Sequence, residues 1–217
     1  MDRPAQRRFL IGVRRLWLIA TGCALVVGVL IGVAVHLWRQ PAAAASPLRL
    51  PALHGEATWA AGVRPAPAFT LRDQTGRSVS LTALRGRAVV LAFMDSRCRQ
   101  ACPVEGKMIA AAVRQVRRAA RPQLLVVSVD PAGDTPTSIR RATRAWRLPG
   151  GVRWLVGSRA ALRRVWHLYD IAVLPTAGDI LHSTAVYVID PRGDERAGFL
   201  VPFVPGLLAG DLRVLAT

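Results

Sequence analysis

A chain of 217 residues has room for one domain of ordinary size beyond its first forty positions, and too little for two. Three cysteines, two of them close together, do not make a disulfide framework, so cysteine here reads as chemistry rather than scaffold. The net charge of +17 is almost wholly arginine, with Lys107 the sole lysine. The basic residues flank the apolar segment or lie scattered on expected helix faces (Arg114, Arg117, Arg118; Arg140, Arg141, Arg144). No aromatic residues interleave with them as a single-strand groove requires, so nucleic acid is not the expected partner. A solvated face or a weak attraction to anionic lipid fits better.

In chain order, residues 1–15 carry five arginines against one aspartate and form a basic N-terminus. Leu16 to Val35 holds no charged residue, and twenty helical residues rise about 30 Å, the thickness of a bilayer core. A transmembrane anchor is therefore expected over 16–38, with Trp17 and Trp38 at its two ends. The positive-inside rule puts the N-terminus in the cytoplasm and everything after His36 outside. The alternative is a signal peptide cleaved near Ala45; length favours the anchor, and both readings export the domain. Cys23, mid-span without polar company, reads as a packing residue. Residues 39–64, rich in Pro and Ala and without steady period, are expected to be a flexible tether that includes His54. The folded domain is expected over 65–217.

Within that domain, Phe69 to Leu81 alternates around Asp73-Gln74-Thr75-Gly76, a hairpin signal. Ala88 to Met94 is a continuous apolar run, the mark of a strand buried on both faces. Pro103 is placed to open a helix to about Ala120, with Val104, Met108, Ala111 and Val113 available for burial. A strand from Leu124 to Val129 follows, then helices from about Pro136 to Trp146 and from Ser158, a plausible N-cap, to Tyr169. Ala185 to Ile189 reads as a strand closed by the turn Asp190-Pro191-Arg192-Gly193. A short strand near Phe199 to Val201 and a helix from about Pro205 end the chain. Strands alternating with helices give an α/β class with a central mixed sheet covered on both faces.

Cys98 and Cys102 follow the buried strand at the opening of a helix. Four residues apart, they share a face if the turn is helical. The helix N-terminus, Arg97 and Arg99 are expected to favour thiolate there. On residue chemistry alone, a resting disulfide or redox work stands level with metal binding. Asp95 and Asp179 read as turn residues or as partners that orient ligands, and His167 as an ordinary helix residue.

Three segments together, Phe93 to Pro103 (FMDSRCRQACP), residues 127–136 (VSVDPAGDTP) and 179–190 (DILHSTAVYVID), resemble the Sco/SenC family. That resemblance implies a thioredoxin-like fold on an N-terminal transmembrane helix, and copper delivery to cytochrome c oxidase or another exported copper protein. It carries the family's metal-binding cysteines onto Cys98 and Cys102 and its histidine onto His182. It makes Asp130, Pro131, Asp134, Thr135 and Pro136 a structural loop. One position departs: the family usually has Pro directly after the first cysteine, and this chain has Arg99. Two sulfurs suit Cu(I), and an imidazole helps the site tolerate Cu(II). Simple dithiol reductases have a proline just before the corresponding strand; here that position is Thr184, and the nearest proline is Pro175. The rival readings are an extracytoplasmic thiol–disulfide oxidoreductase acting through Cys98 and Cys102, and a peroxidase using Cys98 alone.

Overall fold

The computed structural model describes residues 27–36, 52–176 and 180–215. Residues 27–36 are helical with exposed side chains. The rest of the anchor expected over 16–38 lies outside the described residues, as do Cys23, Trp17, Trp38, Ala45 and Asp179. Among the described residues no helix is long and apolar enough to cross a membrane. Residues from 51 onward form a compact unit of their own.

Its strands are β1 (Ala57–Thr58), β2 (Thr70–Asp73), β3 (Ser78–Ser80), β4 (Val89–Met94), β5 (Gln123–Ser128) and β6 (Arg153–Val156). They continue with β7 (Val173–Pro175), β8 (Ile180–His182), β9 (Ala185–Ile189) and β10 (Glu195–Leu200). The helices are α1 (Ala101–Arg114), α2 (Pro136–Ala145), α3 (Arg159–Leu168) and α4 (Pro205–Leu215). Eight strands make one sheet in the order β1-β10-β9-β4-β5-β6-β2-β3, and β7 and β8 pair separately. The centre, β4-β5-β6, is parallel, and β9 joins β4 antiparallel. Every residue of β4 is buried, as its unbroken apolar run requires.

Two apolar layers sandwich the sheet. On one face Val90, Ala92 and Met94 pack with Ile109 of α1, Ile139 of α2 and Leu208 of α4. On the other, Leu91 and Phe93 pack with Leu162 and Trp166 of α3 and with Tyr169. Ser158 caps α3 by accepting from the Ala161 amide. Thr135 and Ser138 form a reciprocal capping box on α2.

Several elements differ from the sequence reading. Helix α1 opens at Ala101, so both the Cys102 and Pro103 positions fall inside its first turn, and it stops at Arg114. Its buried stripe is Cys102, Glu105, Ile109 and Val113 rather than one through Val104, which is 43% exposed. The stripe includes a glutamate, so an apolar count alone chooses the wrong phase. Strand β6 and the β7–β8 hairpin were not anticipated, being three or four residues long with Arg, Pro or His inside. The last strand is longer than expected and begins at Glu195. The expected tether also ends early. Ala57–Thr58 adds an edge strand to β10, Arg64 pairs with buried Glu195, and the His54 amide and Nδ1 both bond Asp211 on α4. Ladder hydrogen bonds between residues some 140 apart leave no local periodicity to read.

Candidate metal centre

The centre is built at the C-terminal end of β4, where the chain must turn sharply into α1. Asp95 follows the strand directly; its Oδ1 accepts from the Arg97 amide, and its carbonyl accepts from the Cys98 amide at 3.2 Å. This turn is braced from the loop after β5. Asp134 accepts from the Ser96 amide at 2.8 Å and from Trp154 Nε1 at 3.0 Å, and Asp130 takes Arg97 Nη2 at 2.8 Å. A Cβ at Gly133 would overlap that Arg97–Asp130 pair, so only glycine leaves room for it. The loop expected to be structural is the buttress of the cysteine turn.

Cys98 is half-buried and Cys102 fully buried, and the two are thiols rather than a disulfide. The Cys102 amide, at the free N-terminal end of α1, donates to Cys98 Sγ at 3.4 Å. The Cys102 sulfur receives the Asp95 amide at 3.5 Å and lies 3.5 Å from His182 Nε2. Its pKa is pushed far up, first by its hydrogen bond to Cys98 and then by burial, so it is held as a thiol. The arginines expected to favour thiolate do not reverse this. Arg97 is bound to Asp130, and burial outweighs a helix terminus for a sulfur with no exposed surface.

His182 ends β8, outside the main sheet. Its Nδ1 is 2.9 Å from the Ser183 carbonyl, which can only accept, so Nδ1 carries a proton and, in the neutral ring, Nε2 presents a lone pair toward Cys102. Donors about 2.3 and 2.0 Å from one ion at a tetrahedral angle stand about 3.5 Å apart. The Cys102–His182 spacing therefore suits a metal between them. Among the described residues, no three His, Cys, Asp or Glu side chains form a ready-made cage. Cys98 Sγ accepts from the helix amide and is hydrogen-bonded to the Cys102 thiol.

Two acidic residues sit behind the sulfurs. Asp95 is buried, which raises its pKa to about 6. Glu105 lies one turn along α1 from Cys102, is wholly buried, and neither carboxyl oxygen has a hydrogen-bond partner. Burial first, and Cys98 second, push its pKa well above the usual range, so it is neutral. Sequence reasoning overlooked Glu105, although its spacing of three from Cys102 puts it on the cysteine face. His167 is exposed on α3, away from this cluster.

The SCO1/SenC family profile matches residues 60–204, two thirds of the chain. This chain belongs to the SCO1/SenC family. A Stutzerimonas stutzeri protein whose name proposes copper binding is 28% identical to it over 159 residues, 70% of this chain and 76% of that protein. The copper-bound structure of Bradyrhizobium japonicum ScoI matches at 25% identity and a TM-score of 0.61, covering 70% of this chain and 99% of that one. The mixed α/β, thioredoxin-like fold of SCO1/SenC proteins is thus the fold of this domain. A chloroplastic peroxiredoxin Q of Gentiana triflora is also 28% identical, over 139 residues, 64% of this chain and 58% of its own length.

Proposed function

We propose that this protein is an exported copper carrier, held at the membrane by residues 16–38, with its N-terminus in the cytoplasm and the domain outside. It takes up copper through Cys98, Cys102 and His182 and passes it to the copper-bearing subunit of cytochrome c oxidase or another exported copper protein. The observation that carries this reading is the lone pair of His182 Nε2 held 3.5 Å from the Cys102 sulfur by the Nδ1 bond to Ser183. A dithiol enzyme has no need of an imidazole fixed in that tautomer beside its buried sulfur. Two soft sulfurs suit Cu(I), the nitrogen extends tolerance to Cu(II), and three protein donors leave a position through which the metal can leave. Because Cys102 rests as a thiol, uptake releases its proton, and affinity falls as pH falls.

Two other readings have some support. The sulfur–sulfur hydrogen bond would allow Cys98 and Cys102 to form a disulfide, as a membrane-bound oxidoreductase requires. Similarity to a peroxiredoxin favours peroxide chemistry at Cys98 alone, for which neither Cys102 nor His182 would be needed.

Anaerobic titration of reduced domain 52–217 with Cu(I) separates the copper reading from the oxidoreductase. We expect one copper per chain, affinity at least about tenfold lower in His182→Ala, and loss of binding in Cys98→Ser. No uptake by the reduced wild type overturns the copper reading. Undiminished uptake by His182→Ala, with intact disulfide exchange, would make the oxidoreductase the better description.

A further inference from the structure

At the pole opposite the cysteines, five arginines surround one concavity: Arg87 before β4, Arg114 at the end of α1, Arg118 and Arg121 before β5, and Arg147 after α2. All five are exposed, and no carboxylate lines the concavity. Among the described residues, none of the five makes a salt bridge; Arg121 Nε donates to the Val116 carbonyl, and that is neutral. Helices α1 and α2 both end at this pole, which accounts for some positive charge. Two helix C-termini supply about one negative charge between them, so most of the five guanidinium charges remain unbalanced.

Arg147 adds a second observation. It follows the C-cap of α2 with φ of +57°, in the left-handed region where glycine is the usual residue. Its amide bonds the Arg144 carbonyl and the next amide bonds Thr143, closing the helix end as a glycine would. An arginine there carries a backbone cost, and the position aims its side chain at the concavity.

We propose that this arginine pole binds the phosphate groups of anionic phospholipid, seating the domain on the bilayer with its cysteines turned away from it. The choice of lipid rests on the anchor reading of residues 16–38. Residues 37–51 separate the helical stretch from the folded unit, and fully extended they span about 50 Å. A domain of this size is about 40 Å across, so a tethered copy always has its arginine pole within reach of headgroups. Phosphate on a surface of fixed sign matches a cluster of forked, permanently charged donors.

The test uses domain 52–217, which contains both apolar layers and carries no anchor, so its outcome does not depend on whether residues 16–38 span a membrane. Sedimentation with vesicles of phosphatidylglycerol and phosphatidylcholine is expected to pull the domain down, with binding lost in 0.5 M salt and absent from pure phosphatidylcholine. The triple variant Arg114→Gln/Arg118→Gln/Arg147→Gln should bind on the order of a hundredfold more weakly. A charge-matched control, Arg140→Gln/Arg163→Gln/Arg164→Gln, should bind within about threefold of wild type. Equal loss in both triples would reduce the effect to net charge and overturn the proposal. So would failure of the wild type to bind anionic vesicles, even if inorganic pyrophosphate raised its melting temperature, since the site would then serve a soluble phosphate. Copper uptake by the arginine variant, expected unchanged, checks that it is folded.

Discussion

Asp95 stands where the core strand meets the cysteine turn, and its carboxyl is buried while its amide faces the Cys102 sulfur. Its pKa is raised from 3.8 to about 6 in the folded domain. Between those two values the unfolded chain gives up a proton that the folded chain keeps, so the metal-free domain loses stability as pH climbs through this window and levels off above it. At about 1.36 kcal/mol per pH unit the loss is about 3 kcal/mol at most. Asp95→Asn keeps the acceptor for the Arg97 amide and abolishes the titration. Denaturation curves should show the variant equal to wild type near pH 3.5 and more stable at pH 7. At this scale the sequence was readable where residue types carried the information. Two cysteines four apart after a buried strand, and a histidine in the segment 179–190, led to Cys102 Sγ and His182 Nε2, which lie 3.5 Å apart. Glu105 went unseen because burial of an unpartnered carboxyl contradicts every residue preference, and only packing reveals it.

Helix α1 carries Cys102 and follows directly on the turn that holds Cys98, and its depth against the neighbouring layer is set by Gly106. A Cβ there would stand 3.0 Å from the Trp146 ring and 3.1 Å from its Cβ, an atom tied to the backbone of the α2 end. Gly106→Ala gains about 1 kcal/mol in helix propensity but overpacks a fixed neighbour, a cost of about 1–3 kcal/mol. The second effect wins, and the melting temperature should fall by several degrees, with copper affinity reduced because the Cys102 sulfur moves with the helix. A rise in melting temperature would mean that Trp146 yields more easily than its position implies. Elements were legible where hydrophobic pattern and turn chemistry agreed: the hairpin at Asp73-Gln74-Thr75-Gly76, the run that became β4, and the Ser158 cap. They were illegible where a strand was too short to show a period, as in β6, or where a hairpin interrupted by Pro175 gave no alternation.

Across the whole molecule, the segment before Pro65 closes the fold rather than merely leading to it. Buried Asp211 is held by His54, and buried Glu195 by Arg64, so a domain begun at Pro65 would keep both acids and lose their partners. Each stranded group costs about 1–3 kcal/mol, and β10 would expose its edge. Residues 65–217 should therefore melt several degrees below residues 52–217, and aggregate more readily on heating; equal melting temperatures would show that the early segment adds no stability. The Pro- and Ala-rich composition of that segment concealed its pairing, since its partners lie at the other end of the chain. The placement of His182 matters at this scale too. Two of the proposed donors ride on the rigid frame, while the third sits on a flap of two short strands that shares no ladder with it. Val173 and Ile180 seat that flap on the apolar layer around Tyr169 without a shared ladder, so substitutions there would tune how tightly the cargo is gripped while leaving the strand order of the main sheet alone.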